Sequence, residues 1–161
     1  MTLIASEPVS DDRDIPFLPL ALGLAGLAPF IALALTIALG GSGAAGFDPA
    51  SALLAYGAVV LSFLGGAHWG LALRHPSPDI RTALYLGAAL PPLWAVAALL
   101  LGGAVGLGMV AAGLAAQGAV DGLRSGRFAA PRWYGRLRAL LSALAAVATA
   151  AAAVVVASQQ M

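Results

Sequence analysis

From Thr82 to Val120 the chain carries no charged residue. An α-helix rises 1.5 Å per residue and crosses the hydrocarbon of a bilayer in about 20 residues. The stretch is therefore too long for one crossing and long enough for two. The "GGAVG" at Gly102 to Gly106 supplies the turn, dividing it into spans near Ala83–Leu101 and Ala104–Val120. Such a hairpin has no polar face with which to meet water, and the rest of the sequence agrees. Hydrophobic residues make up 61% of the chain and charged residues 9%, against about 25% charged in a soluble domain. At 161 residues the spans use most of the chain, so no separate soluble domain is expected.

Three more apolar runs complete the count. Phe17–Leu39 ends at "GGSGAAGFDP", Ala50–Leu73 ends at "RHPSPD", and Ala139–Ala157 follows "RSGRFAAPRWYGRLR"; glycine and proline break the helix at the first two boundaries. The expectation is an all-α polytopic membrane bundle of five transmembrane helices over residues 16–157. Residues 1–15 precede it as a disordered acidic tail, with Glu7, Asp11, Asp12 and Asp14 against a single Arg13. A secretory signal would open with positive charge, so the first run is expected to remain as a span. With five spans, all eight basic residues fall on one side: Arg13, Arg74, Arg81, Arg124, Arg127, Arg132, Arg136 and Arg138. Reading Thr82–Val120 as a single span would split them. By the positive-inside bias the N-terminus is cytoplasmic and the C-terminus outside.

The second span holds "SFLGGAHWG", Ser62 to Gly70, which places a histidine inside the membrane. Ala58, Ser62, Gly66 and Gly70 recur at intervals of four and read as a helix-packing stripe, because small side chains let helix backbones approach. His68 lies on the opposite face, with Leu61, Leu64, Gly65 and Ala72, less than two helical turns before Arg74. In the fourth span Gln117 and Asp121 share a face on the same side of the membrane. They are the candidate partners of His68, since ionisable groups within spans face the bundle interior and pair. Asp121 could instead cap its span and meet Arg124 at the surface.

Arg124, Arg127, Arg132, Trp133, Tyr134, Arg136 and Arg138 read as an interfacial belt, with arginines on anionic headgroups and aromatics at headgroup level. No nucleic-acid role is expected of them. Pro91 and Pro92 should kink the third span. No nucleophile, paired carboxylates or phosphate loop stands at catalytic spacing, and no metal or cofactor is implied. With no cysteine, thiol chemistry is excluded.

With these residues in view, the chain resembles a family of small bacterial inner-membrane proteins of unknown function related to eukaryotic transmembrane protein 69. The likeness is carried by "IPFLPLALGLAGLAPF", by "YGAVVLSFLGGAHWGLAL" and, more loosely, by Gln117, Asp121 and "PRWYGRLR". It implies a multi-span membrane protein in a bacterial inner-membrane or mitochondrial setting, and it carries over no catalytic or binding residues. The function expected is structural, or of assembly type, with lipid, a second copy or another membrane protein as partner. The alternative is a small proton-coupled carrier using His68 and the kinked third span.

Overall fold

The computed structural model describes residues 14–41 and 46–160; the acidic tail lies outside them up to residue 13. Five helices follow in order: α1 (Phe17–Ala38), α2 (Pro49–Arg74), α3 (Pro78–Leu101), α4 (Gly103–Arg124) and α5 (Arg132–Gln159). All five are long and apolar enough to cross a membrane, and no strand occurs among the described residues. Asp48 caps α2, its carboxylate accepting from the main-chain N–H groups of Ala50 and Ser51 at 3.1 and 2.9 Å. The Ser51 hydroxyl and N–H hold its carboxyl below the usual carboxylate range.

Two helices begin earlier than hydropathy suggests. The third starts at Pro78, not near Ala83, and the fifth at Arg132, not Ala139. Proline at the first position favours a helix start, and Arg, Trp and Tyr are tolerated within helices. Hydropathy marks the edge of hydrocarbon, whereas the helix continues past it. Gly102 and Gly103 join α3 to α4 with φ of 64° and 52°, a conformation that glycine adopts without steric cost.

Leu53, Leu61, Leu107, Val110 and Leu114 are buried at the centre with Phe30. Around them α4 packs on α5 and α2 on α3, while α1 leans against α2 and α5. Glycine sets the separations. A Cβ on Gly106 would strike the Ala98 carbonyl, and one on Gly118 would lie 2.6 Å from Ser142 Cβ. Gly122, four residues on, faces Ala139 in the same manner at 2.9 Å, so "GAVDG" is the small-residue motif that seats α5 on α4.

The stripe expected on α2 is corrected by this geometry. Ala58 is buried and Ser62 half-buried, but Gly66 and Gly70 are exposed, and a Cβ on either meets nothing within 4 Å. Packing within the chain uses the neighbouring face, where Gly57 meets Val110 and Gly65 meets Pro91 and the Ala88 carbonyl at 2.9–3.0 Å. The interval of four was right for a helix face, but it was traced one residue around from the face the bundle uses.

Gly65→Ala and Gly106→Ala should therefore lower the melting temperature in detergent, because backbone or a proline ring must move. Gly66→Ala and Gly70→Ala should leave it unchanged or slightly raised, alanine being the better helix former. Thermal unfolding of the four variants checks this; equal losses at all four would show that the exposed glycines pack after all.

Candidate functional site

Three helix ends meet on the arginine-rich side of the bundle: the C-termini of α2 and α4 and the N-terminus of α5. His68 lies six residues before the end of α2, Asp121 three before the end of α4, and Arg138 six after the start of α5. At 1.5 Å per residue each is within about 9 Å of its helix end. Asp121 is drawn inward because Gly118 and Gly122 flank it and bring α5 close. Gly135 contributes from the other helix, since a Cβ there would lie 2.9 Å from the Asp121 carbonyl oxygen.

The side chains join into one buried network. His68 Nε2 is 2.6 Å from Asp121 Oδ1, and Arg138 Nε donates to Asp121 Oδ2 at 2.7 Å. Arg138 Nη2 lies 2.7 Å from the same oxygen and donates to the Leu64 carbonyl at 2.8 Å. One guanidinium thus ties α5 to both α4 and α2. His68 and Asp121 are each 2% exposed and Arg138 8%. Carboxylate oxygens only accept, so Nε2 carries a proton directed at Asp121. The Gln117 side-chain amide has its nitrogen 3.2 Å from the same Nε2, and amide nitrogen and oxygen exchange places by a simple flip. A protonated Nε2 offers no lone pair, so the amide oxygen is the end that suits this position.

The surroundings hold the network in place. Phe128, in the loop between α4 and α5, packs edge-on against the His68 ring at a centroid distance of 5.5 Å. The Arg138 guanidinium sits 5.5 Å from the centroid of the Tyr134 ring, within reach of a cation–π attraction. His75 pins the loops: its Nε2 donates to the Arg127 carbonyl at 2.9 Å, and its Nδ1 accepts from the Ser77 N–H at 3.2 Å. Among the described residues, His68 Nδ1 is the one buried side-chain nitrogen or oxygen without a hydrogen-bond partner.

Sequence reasoning named His68, Gln117 and Asp121, and the structure brings them together. Asp121 does not meet Arg124, which is exposed. Arg138 is moved from the interfacial belt to the interior, and Phe128 is likewise buried. Arg124, Arg127, Arg132 and Arg136 are exposed at the same end, with Trp133 and Tyr134 half-buried beside them. A signal for Arg138 existed: Gly135, Ser142 and Thr149 fall on the same side of α5 as the arginine and mark its buried face. Two apolar grooves flank the network, one of about 720 Å³ between α3 and α4 with His68 and Gln117 at its inner wall. The other, about 640 Å³, lies between α1, α2 and α5 and reaches Arg138 and Tyr134.

A family model described as a protein of unknown function, DUF3429, matches residues 15–154. Over 66 residues, 41% of the chain, the sequence is 46% identical to transmembrane protein 69 of Xenopus tropicalis, covering 25% of that protein. The chain thus spans about a quarter of the length of the curated relative it matches. No solved structure matches it.

Replacing one member of the ion pair strands the other charge in an apolar setting, so Asp121→Leu and Arg138→Met should each destabilise by about 3 kcal/mol or more. The double variant should recover most of that loss. His68→Leu should cost on the order of 1 kcal/mol, as membrane hydrogen bonds do. Unfolding of the single and double variants in mixed detergent measures the coupling; additive losses for Asp121 and Arg138 would mean that they do not interact.

Proposed function

The chain belongs to the DUF3429 family, and from that premise we propose that it is a structural, or assembly-type, protein of the bacterial inner membrane. It holds lipid, further copies of itself or another membrane protein against its packed helices. The observation that carries this reading is the buried network of His68, Asp121 and Arg138. Its two ionic groups are mutually neutralised, and Phe128 packs over the histidine on the loop side. Buried polar groups with fixed partners hold helices in one arrangement. An ion-coupled carrier would instead need to release these partners in each cycle.

The N-terminus is cytoplasmic and the C-terminus outside. Support comes from the arginines: Arg74, Arg81, Arg124, Arg127, Arg132 and Arg136 stand at one end of the bundle, as the positive-inside bias requires. The exposed arginines there meet anionic headgroups, beside the half-buried Trp133 and Tyr134.

Two measurements test this reading. Reporter fusions after Ser77, Gly103, Gly126 and Gln160 should read inside, outside, inside, outside; an inside signal at Gln160 would overturn the orientation. The full chain, purified from native membranes and weighed intact with its bound molecules, should retain lipid or protein at fixed stoichiometry. A bare chain that drives saturable, proton-dependent solute flux in liposomes would replace the structural reading with the carrier.

A further inference from the structure

His68 is bonded on one edge and buried without a bond on the other. Its Nε2 is committed to Asp121, and in a neutral ring this leaves Nδ1 as a buried lone pair with no partner. The groove between α3 and α4 ends beside it. On α3 the residue facing Nδ1 is Gly87. The position that its Cβ would take is 3.1 Å from Nδ1, and outside Gly87's own stretch of helix the same ring's Cε1, at 3.9 Å, is the other atom within 4 Å of that point. At Gly87, which lines the groove with His68, no side chain covers the ring edge.

A second acceptor stands at the same end. Pro91 has no N–H, so the Gly87 carbonyl loses the donor that a regular helix would provide four residues on. Both Gly87 and Pro91 line the groove. From Gly87 to Ala97 the groove follows α3 for about 15 Å of helix rise. Its α4 wall is the exposed Ala112 and Ala116, and the Trp94 indole has already spent its N–H on the Met109 carbonyl at 2.7 Å. The groove is thus apolar along its length, with unmatched acceptors at one end.

We propose that this groove binds a neutral lipid bearing a hydroxyl group, the hydroxyl donating to His68 Nδ1 and the tail lying along α3. An anionic headgroup would face a lone pair and a carbonyl oxygen. A cationic one would find no free carboxylate, because Asp121 is already paired with Arg138. A hydroxyl matches both acceptors without introducing charge into hydrocarbon. This site is independent of the structural role proposed above, because the helix-tying bonds use Nε2 and leave Nδ1 unused.

The chain has two histidines, so labelling the imidazole nitrogens with ¹⁵N gives a direct test in lipid nanodiscs. His75, whose two nitrogens are both bonded, serves as the internal reference. Dodecanol, farnesol and decylhydroquinone should each move the His68 Nδ1 resonance saturably, the tightest of the three identifying the preferred class. Dodecyl methyl ether, which cannot donate, should not move it. Gly87→Ala should raise the half-saturating concentration at least tenfold by crowding Nδ1, and Ala116→Leu should do so by narrowing the tail channel. If Gly87→Ala misfolds, shown by a displaced His75 signal, Ala116→Leu decides alone. The proposal is overturned if no alcohol shifts Nδ1, if the ether acts equally, or if Ala116→Leu binds as tightly as the wild type.

Discussion

The Asp121–Arg138 ion pair is the constraint to which the rest of the arginine-rich end conforms. Two opposite charges removed from water gain back their desolvation only at close range and with their remaining valences filled. Here one carboxylate oxygen takes Arg138 and the other takes His68, while the guanidinium turns a further N–H to the Leu64 carbonyl. Three helices must therefore hold a common position to within a few tenths of an ångström. The small residues around the pair permit this. Gly118, Gly122 and Gly135 remove the side chains that would hold α4 and α5 apart, and Phe128 folds over the histidine. Truncating either ion alone costs about 3–5 kcal/mol in such settings, more than any single hydrogen bond in a membrane contributes.

Much of this end was legible from spacing. His68 stood out because it interrupted an apolar run, and Gln117 and Asp121 because they share a helix face in the same leaflet. Two of the five spans followed from one charge-free stretch and a glycine turn, and the other three from separate apolar runs. Arg138 was assigned to the interface because hydropathy places the start of the last span after it, whereas α5 begins at Arg132 and carries the arginine inward. The α2 stripe was traced one residue off for a related reason. Glycines four apart mark the Gly66–Gly70 side and glycines eight apart the Gly57–Leu61–Gly65 side, and spacing alone does not say which side meets protein. Only the partner helix decides that, through Pro91 and Val110.

The third helix is held less uniformly than the others, and its prolines explain the pattern. Pro91 and Pro92 lie within a continuous helix, yet neither donates to the carbonyl four residues before it. The Ala88 carbonyl points toward Gly65, close enough that a Cβ there would stand 3.0 Å away. Absence of a side chain on α2 thus accommodates one freed carbonyl, with the Pro91 ring seated alongside. Farther along, α3 is tied to α4 through Trp94 and the Met109 carbonyl and through the tight turn at Gly102. On the side of the Trp94–Met109 bond away from that turn, the small residues Ala112 and Ala116 leave the groove.

The same few residues therefore produce both the clamp and its unbonded edge. A carboxylate has two oxygens to satisfy, and Arg138 takes one of them. Histidine fills the other with Nε2, but a ring that donates through one nitrogen must present the second somewhere. A serine at position 87 could in principle have answered Nδ1; glycine stands there instead, followed four residues later by a proline that frees the glycine's own carbonyl. Two acceptors without a regular donor consequently belong to residues at one end of an apolar channel, whereas the other buried side-chain nitrogens and oxygens of the described residues are paired. Packing alone does not require that combination, because alanine at 87 and a non-proline residue at 91 would close both. The ion pair fixes the ring, and the glycine and proline determine what the ring can still accept.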